Sequence, residues 1–548
     1  PWGSRYWWPC KDTPADKPDS VDVYVEYPSG YRLMSLGKLM SDTDIGGGRR
    51  AVHWKHMYPV ATYLIAITCA QFNTAVDTWN YNSVSMPIYT YSLPSSPSFS
   101  EFRAYMPDVL TNLSNAFGLY PYSTEKAGNA NYGWGGAMEH QTCSFYNPGF
   151  YDEWVIAHET GHQWWGDMIT CRTFNHVWLN EGGASYAEPI HWEQQYGTAA
   201  YHYYMQTQKF LGEGTIYVED PLTEDIFDGN LSYDKASWVW HMLRGTIGDE
   251  AFFQFIDDWY HSDFQYGAAT TSDFGDVLSA SVGEDMHWWV DQWIYGSGHP
   301  EYELSWECLP DPTKADSYDL TYYVEQIQDN GSFFTMPVRT IFQTTGATLD
   351  TTLWYGPTSL FQIVFADSIT NIIIDPEEWV LREYSYAPFS FHLATVALPD
   401  GYLNVPYAET LQVVGGVGPY TWTKLSGDLP LGTYFDYQKG ILYGTPTWKG
   451  HSYFTMKVTD SDVPANVDQR AFTVTILDAP PQNVLGDANG DDIVNITDAV
   501  YLIDYIFNGG PPPNPYWTGD VNCDSAVNIT DAVFIIQYIF NGGPEPNC

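Results

Sequence analysis

"EWVIAHETGHQWWGDMI", residues 153–169, decides how this chain is read. Its centre, "HETGH", sets His158 and His162 four residues apart on a stretch with helical spacing. On a helix that separation turns both imidazoles toward one point. Two nitrogen donors this close suit zinc, and Glu159 between them can reach water held at such a metal. Five residues of this kind also arise by accident in a long chain, so a third ligand is needed to decide.

"WLNEGGASYAE", 178–188, offers it: eighteen residues separate His162 from Glu181. A catalytic zinc takes three protein ligands and keeps one position open. His158, His162 and Glu181 supply two imidazoles and a carboxylate. Glu188 lies seven residues past Glu181, about two helical turns, and so returns to the same face. There it can accept a hydrogen bond from a ligand histidine; the plainer reading is a surface carboxylate on a helix.

"GGAMEHQTCS", 135–144, puts Glu139 after Gly135, Gly136, Ala137 and Met138. A carboxylate on a Gly-rich strand ahead of the metal helix can line the cleft floor and bind a cation. The obvious cation is a peptide's free α-amine. The other reading is a turn residue on an edge strand.

Together "GGAMEHQT", "HETGHQWWGD" and "WLNEGGASYAE" resemble the aminopeptidase N family of zinc metallopeptidases, relatives of leukotriene hydrolase. Its pattern is a G-x-M-E-N motif, then HExxH, eighteen residues and Glu. The resemblance implies a thermolysin-like, α-rich catalytic domain with one zinc on His158, His162 and Glu181. It also implies Glu159 as general base and Glu139 as anchor for the substrate amine. "LSYDKASWVWHMLR", 231–244, looks like the family segment that carries an oxyanion-stabilising tyrosine, which makes Tyr233 the candidate. With 43 tyrosines in the chain, only the family pattern singles it out. His140 stands where the family usually has Asn, so altered substrate contacts are expected; Ala236 replaces a usual Gly, a minor change. "WWPCKDTPADKPDSVDVYVEYP", 7–28, is similar to the later part of the family's N-terminal β domain, so Pro1 is expected to fall inside that domain. "DQWIYGSGHPEYELSW", 291–306, looks like the exit into a small β-sandwich. The resemblance runs over about residues 5–385.

The C-terminal end repeats itself. "GDANGDDIVNITDAVYLIDYIFNGGPPP" is followed by "GDVNCDSAVNITDAVFIIQYIFNGGPEP". Each copy offers oxygens at loop positions 1, 3, 5, 9 and 12, a spacing that suits calcium. They are Asp487, Asn489, Asp491, Asn495 and Asp498, then Asp520, Asn522, Asp524, Asn528 and Asp531. Each loop runs into an apolar helix. The pair resembles a type I dockerin, which implies two calcium ions and a cohesin-type partner; a calcium-stabilised tail is the alternative. Residues 400–478 look like a bacterial Ig-like domain, with a spacer role as the default.

Charge is lopsided, 22 Lys and Arg against 67 Asp and Glu, a net charge of −45. That argues against nucleic-acid or anionic-membrane partners, which need basic patches. No apolar run reaches the ~18 residues of a membrane span. "YPVATYLIAITCAQF", 58–72, comes nearest and reads as a buried strand. No export signal is visible, which is uninformative in a chain that starts at Pro1. Among seven cysteines, Cys523 with Cys548 is the favoured bridge because the two enclose one repeat unit, and Cys143 with Cys171 a weaker one; seven free thiols is the alternative.

The expectation is a multidomain chain. It comprises a partial N-terminal β domain (1–98), a zinc metallopeptidase domain (99–299), a β-sandwich (300–395), an Ig-like β domain (396–479) and an α-helical calcium-binding dockerin (480–548). It reads as a secreted or cell-surface zinc aminopeptidase of bacterial-type architecture, acting on peptide N-termini. The rivals are a zinc endopeptidase, an epoxide hydrolase like the leukotriene relative, and a non-catalytic scaffold or adhesion component that keeps the fold.

Overall fold

The computed structural model describes all residues except 1, 2, 97, 134, 312, 479–484, 491–493, 509, 511, 514, 515, 523–525, 542–545, 547 and 548. Asp491, Asp524, Cys523 and Cys548 therefore lie outside the described residues. The chain divides into two compact units, Pro1–Pro388 and Phe389–Cys548.

The first unit begins in β structure. Val21–Pro28 alternates apolar and polar side chains, the period of a strand with one covered face. It pairs antiparallel with Arg49–His56, which pairs in turn with Lys38–Gly46. Val52 and Trp54 of the middle strand are buried. The stretch 58–72 is not one buried strand. Val60, Ala61, Leu64 and Ile65 are buried, but through a short 3-10 turn at Thr62–Leu64, and only Ile67–Ala70 is extended. Burial, and not strand pairing, is what its apolar run encodes.

A five-stranded sheet follows in the order Asn73–Tyr81, Val84–Ser92, Ala127–Asn131, Ser144–Tyr146, Ala137–Met138. Its first two strands precede residue 98 and its last three follow it, so this sheet joins the two stretches. Against it packs helix α1, Ser98–Phe117. Phe102, Met106, Val109, Leu110, Leu113 and Phe117 recur at helical spacing and are all buried. Each such burial stabilises by roughly 1.5–3 kcal/mol.

Four further helices frame the cleft: α2 (Glu153–Gly161), α3 (Trp178–Tyr196), α4 (Thr198–Thr207) and α5 (Ala236–Ile247). α2 is shorter than the helical spacing of 153–169 predicts. After Gly161 the chain tightens through Gln163 N–H to Thr160 O and Trp164 N–H to Gly161 O. α3 crosses its neighbours with only glycine and alanine at the closest points. A Cβ added at Gly161 of α2 would lie 2.5 Å from the Ala187 Cβ of α3, and one at Gly182 of α3 would lie 2.6 Å from the Ala236 Cβ of α5. Real Cβ atoms do not approach so closely, so both crossings require glycine.

Beyond the helices, two sheets face each other as a sandwich. One has the order Thr358–Phe365, Tyr318–Gln326, Glu301–Pro310, Glu383–Tyr386, and the other Thr348–Tyr355, Met336–Thr344, Ile369–Ile374. Leu320, Tyr322, Val324, Phe342 and Tyr355 fill the core between them.

The second unit opens with short antiparallel strands around Leu442, Phe454, Met456, Val458 and Val474. Gly450–Thr459 and Val467–Leu477 form its longest pair, each alternating buried and exposed side chains. Two helices close the chain, Ile496–Asn508 and Ile529–Asn541, with Ala499, Leu502, Ala532 and Ile535 buried between them.

Cys10, Cys69, Cys143, Cys171 and Cys308 are free thiols. The Cys143–Cys171 bridge is thus corrected. Cys143 is buried with Tyr132 and Phe145, whereas Cys171 sits in a separate cluster with Phe174 and Val177.

Candidate metal centre and substrate cleft

His158, in the last turn of α2, and His162, just past its end, present their Nε2 atoms 3.1 Å apart. Glu181, in the first turn of α3, brings Oε2 to 3.2 Å from His162 Nε2 and 3.6 Å from His158 Nε2. All three side chains are buried.

Hydrogen bonds fix what these atoms offer. His158 Nδ1 lies 2.7 Å from Oε1 of Glu188, and His162 Nδ1 lies 3.1 Å from the carbonyl oxygen of Trp165. Neither oxygen donates, so each Nδ1 carries the proton. In neutral rings each Nε2 then presents a lone pair. Two lone pairs and a carboxylate oxygen converge on one point, an arrangement that repels itself unless a cation sits there. A tetrahedral zinc with ligands ~2.0–2.2 Å away would separate its donors by about 3.3–3.6 Å. The donor set and its spacing fit that ion. Burial pushes the Glu181 carboxyl up, but the positive charge of the His162 and His158 rings, when they are protonated in place of a bound cation, outweighs it and holds it at about 2.

Glu188 is held at both oxygens. Besides His158 it receives hydrogen bonds at Oε2 from Tyr204 Oη, 2.6 Å, and Gln208 Nε2, 3.1 Å. The surface-carboxylate alternative for Glu188 is therefore excluded. The sequence reading missed Tyr204 and Gln208. Their four-residue spacing at the end of α4 is the only signal they carry.

The three donors open onto a cavity of about 920 Å³. Glu139, Glu159, Glu181, Glu188 and Asp234 line it together with Tyr233, and among the described residues no Lys or Arg does so. Glu159 is buried, and burial raises its carboxyl to about 8 against the opposing pull of His158 and His162. Glu139 follows directly on the two-residue edge strand Ala137–Met138. Its carbonyl accepts a hydrogen bond from Gln163 Nε2, 2.9 Å, and Gln163 Oε1 accepts one from the Thr142 N–H, 2.7 Å. The turn after His158 and His162 thus pins the loop that carries Glu139.

Tyr233 lies on a π-helical turn, Gly229–Lys235, that leads into α5. Its ring stacks on that of His158 with centroids 5.9 Å apart. Burial raises its phenol, and the carboxylates of Glu181, Glu139 and Glu159 raise it further, so it stays protonated and able to donate. Asp234 beside it, absent from the sequence reading, is pushed up to about 7 by burial and then by Glu188. His140 does not line this cavity; it is half-buried, with its ring edge-on to Phe145, 4.7 Å between centroids. The altered substrate contacts expected of it therefore have no direct route here. Ala236 meets Gly182 instead of a larger residue, which accommodates its methyl group.

The C-terminal loops match each other atom for atom where they are described. Asp498 accepts the Asn489 N–H at Oδ1, 3.1 Å, and the Asn495 N–H at Oδ2, 2.8 Å. Asp531 accepts those of Asn522, 3.2 Å, and Asn528, 2.8 Å. Asp487, Asp498 and Asp531 are buried, and Asp520 is half-buried.

Among the described residues, no helix is long and apolar enough to cross a membrane.

Comparison with known proteins agrees with these motifs. Residues 135–293 match the model of the peptidase family M1 domain, 389–477 that of the "Putative Ig domain", and 485–540 that of the dockerin type I domain. "Probable aminopeptidase 1" of Sulfurisphaera tokodaii is 30% identical over 158 residues, 27% of this chain and 20% of that protein. Aminopeptidase M1 of Arabidopsis thaliana is 26% identical over 333 residues, 55% of this chain and 36% of that one. This chain thus spans well under half the length of these two relatives. The crystal structure of Legionella pneumophila aminopeptidase A in complex with aspartic acid shares the fold over 68% of this chain and 46% of its own, with a TM-score of 0.58 at 21% identity. Residues 135–293 are a peptidase family M1 domain, in a chain that also carries an Ig-like domain and a dockerin type I domain.

Proposed function

We propose that the chain is a zinc-dependent aminopeptidase that removes N-terminal residues from peptides. The observation that carries this reading is the cavity's charge. Buried carboxylates surround a three-donor site, and among the described residues no Lys or Arg lines the space to balance them. Such a cavity calls for two cations, one at the donors and one nearer Glu139, and a peptide's α-ammonium is the natural second. His158, His162 and Glu181 would hold the zinc, with Glu188 orienting His158. When bound, zinc supplies a Lewis acid that polarises the scissile carbonyl and makes water more acidic.

The protein's own groups do the rest. Glu139 holds the ammonium and so sets which peptide bond is presented. Glu159 takes a proton from the attacking water and passes it to the departing amine. The Tyr233 hydroxyl donates to the oxygen on which negative charge develops.

The two repeat loops would each bind calcium, using Asp487, Asn489, Asp491, Asn495 and Asp498 in the first and Asp520, Asn522, Asp524, Asn528 and Asp531 in the second. The module they support would dock onto a cohesin-type protein outside the cell, with the Ig-like region as spacer. The matching hydrogen bonds of Asp498 and Asp531 support equivalent loops.

The test is hydrolysis of aminoacyl fluorogenic amides, free and N-acetylated, by the wild type and Glu139→Ala. Turnover of the free-amine substrates alone, with that preference lost in Glu139→Ala, is the expected result. Equal cleavage of acetylated substrates would make an endopeptidase the better reading. No cleavage by zinc-loaded protein would favour a non-catalytic scaffold.

A further inference from the structure

A second convergence of ligand atoms lies among residues that do not line the cleft. His299, Glu301 and Glu383 bring one ring nitrogen and two carboxylate oxygens within 4.8 Å of one another. Glu301 and Glu383 begin neighbouring parallel strands of the sandwich and are direct register partners. Like charges side by side on adjacent strands are destabilising.

His299 comes from the segment that joins the catalytic helices to the sandwich. It is 4% exposed, and neither of its ring nitrogens makes a hydrogen bond. Its nearest carboxylate contact is Nε2 to Glu383 Oε2 at 3.5 Å, beyond the ordinary ~2.7–3.2 Å range. Buried polar groups are nearly always satisfied, so an imidazole left bare beside two carboxylates needs an explanation. The neighbouring cation, Lys235, donates to the carbonyl of Gly214 at 2.6 Å and makes no hydrogen bond to the ring.

We propose that His299, Glu301 and Glu383 bind a divalent transition-metal ion of the zinc class, at a site separate from the catalytic one. One imidazole and two carboxylates are a donor set that zinc accepts, whereas calcium takes oxygen alone. The ion would satisfy the buried ring and remove the repulsion between the paired strand ends. Glu383 is more than half exposed, so the site is open to exchange with solvent. The role is structural. Ser297, two residues before His299, already accepts the Gly214 N–H and donates to Glu213, and the ion would clamp the same passage to the sandwich.

The experiment counts bound zinc in the full chain, dialysed against zinc with calcium saturating. Two zinc ions per wild-type chain are expected, one in Glu383→Gln and one in His299→Gln, with aminoacyl amide hydrolysis by Glu383→Gln unchanged. His162→Ala should lose one zinc and keep the other, which separates this site from the catalytic reading. Added zinc should also raise the melting temperature of the zinc-preloaded wild type but not of Glu383→Gln. Glu383 is at an exposed strand end, so that variant carries the test if His299→Gln fails to fold. Equal zinc content in wild type and Glu383→Gln would overturn the proposal, as would calcium binding there without zinc.

Discussion

Nδ1 of His158 sits 2.7 Å from Oε1 of Glu188, a carboxylate anchored at its other oxygen by Tyr204 and Gln208. The His158 ring is therefore oriented by a group that is itself held from two sides. Glu188→Ala should weaken zinc binding by ~10–100-fold. Competition against a chromogenic chelator measures this directly. Tyr204→Phe removes one of the anchors only and should produce a smaller loss in the same assay.

Glu159 lines the cavity without being one of the converging donors. Glu159→Gln should keep its zinc and lose kcat by ~10²–10⁴-fold. Metal content and turnover measured on one preparation separate this outcome from simple demetallation.

Tyr233 stacks on His158 and keeps its proton. Tyr233→Phe removes a single donor and should lower kcat by roughly 10²–10³-fold. KM should change little, because the hydroxyl acts where charge develops and not on the bound substrate. Steady-state kinetics on one free-amine substrate tests the split.

Asp234 is raised from 3.8 to about 7, by burial first and then by Glu188. Between those values the folded chain holds a proton that the unfolded chain has released, so this group's contribution to stability falls as pH rises through the window. Asp234→Asn cannot ionise. Its stability relative to wild type should increase from about pH 4 to about pH 7 and then level off. Urea midpoints of both proteins across that range provide the check.

Asp498 and Asp531 each tie two amides of their own loop from the twelfth position. Removing calcium with a selective chelator should loosen both loops and reduce the helicity of Ile496–Asn508 and Ile529–Asn541. Hydrolysis of a small amide substrate should persist, since the proposed catalytic residues Glu139, Glu159 and Tyr233 all lie in the first unit. Circular dichroism and activity, followed together, distinguish the two effects.

The convergence of His158, His162 and Glu181 was legible because its information is local. Four-residue spacing on a helix and a carboxylate at the start of the next one define three donors without any knowledge of the fold. Glu188 was legible for the same reason, being two turns from Glu181 on one helix. Asp234, Tyr204 and Gln208 were not, because only the packing of α4 and the π-helical turn against α3 brings them to the cavity. The stretch 58–72 misled for a related reason. Hydrophobicity reports burial, and a buried segment can be irregular when its polar backbone finds partners elsewhere, as the Val60 N–H does on the carbonyl of Pro18. The sheet that spans residue 98 was hidden because pairing between distant strands leaves no mark in either strand alone.

The glycine crossings of α3 with α2 and α5 set how this site can fail. With only an alanine methyl group facing Gly161 and another facing Gly182, α3 has almost no compressible layer of side chains between it and α2 or α5. The spacing of the donors is then a property of the main chain, and individual rotamers have little freedom to alter it. Loss of metal and separation of these helices should accordingly be one cooperative event, so that the ion dissociates on the timescale of local unfolding.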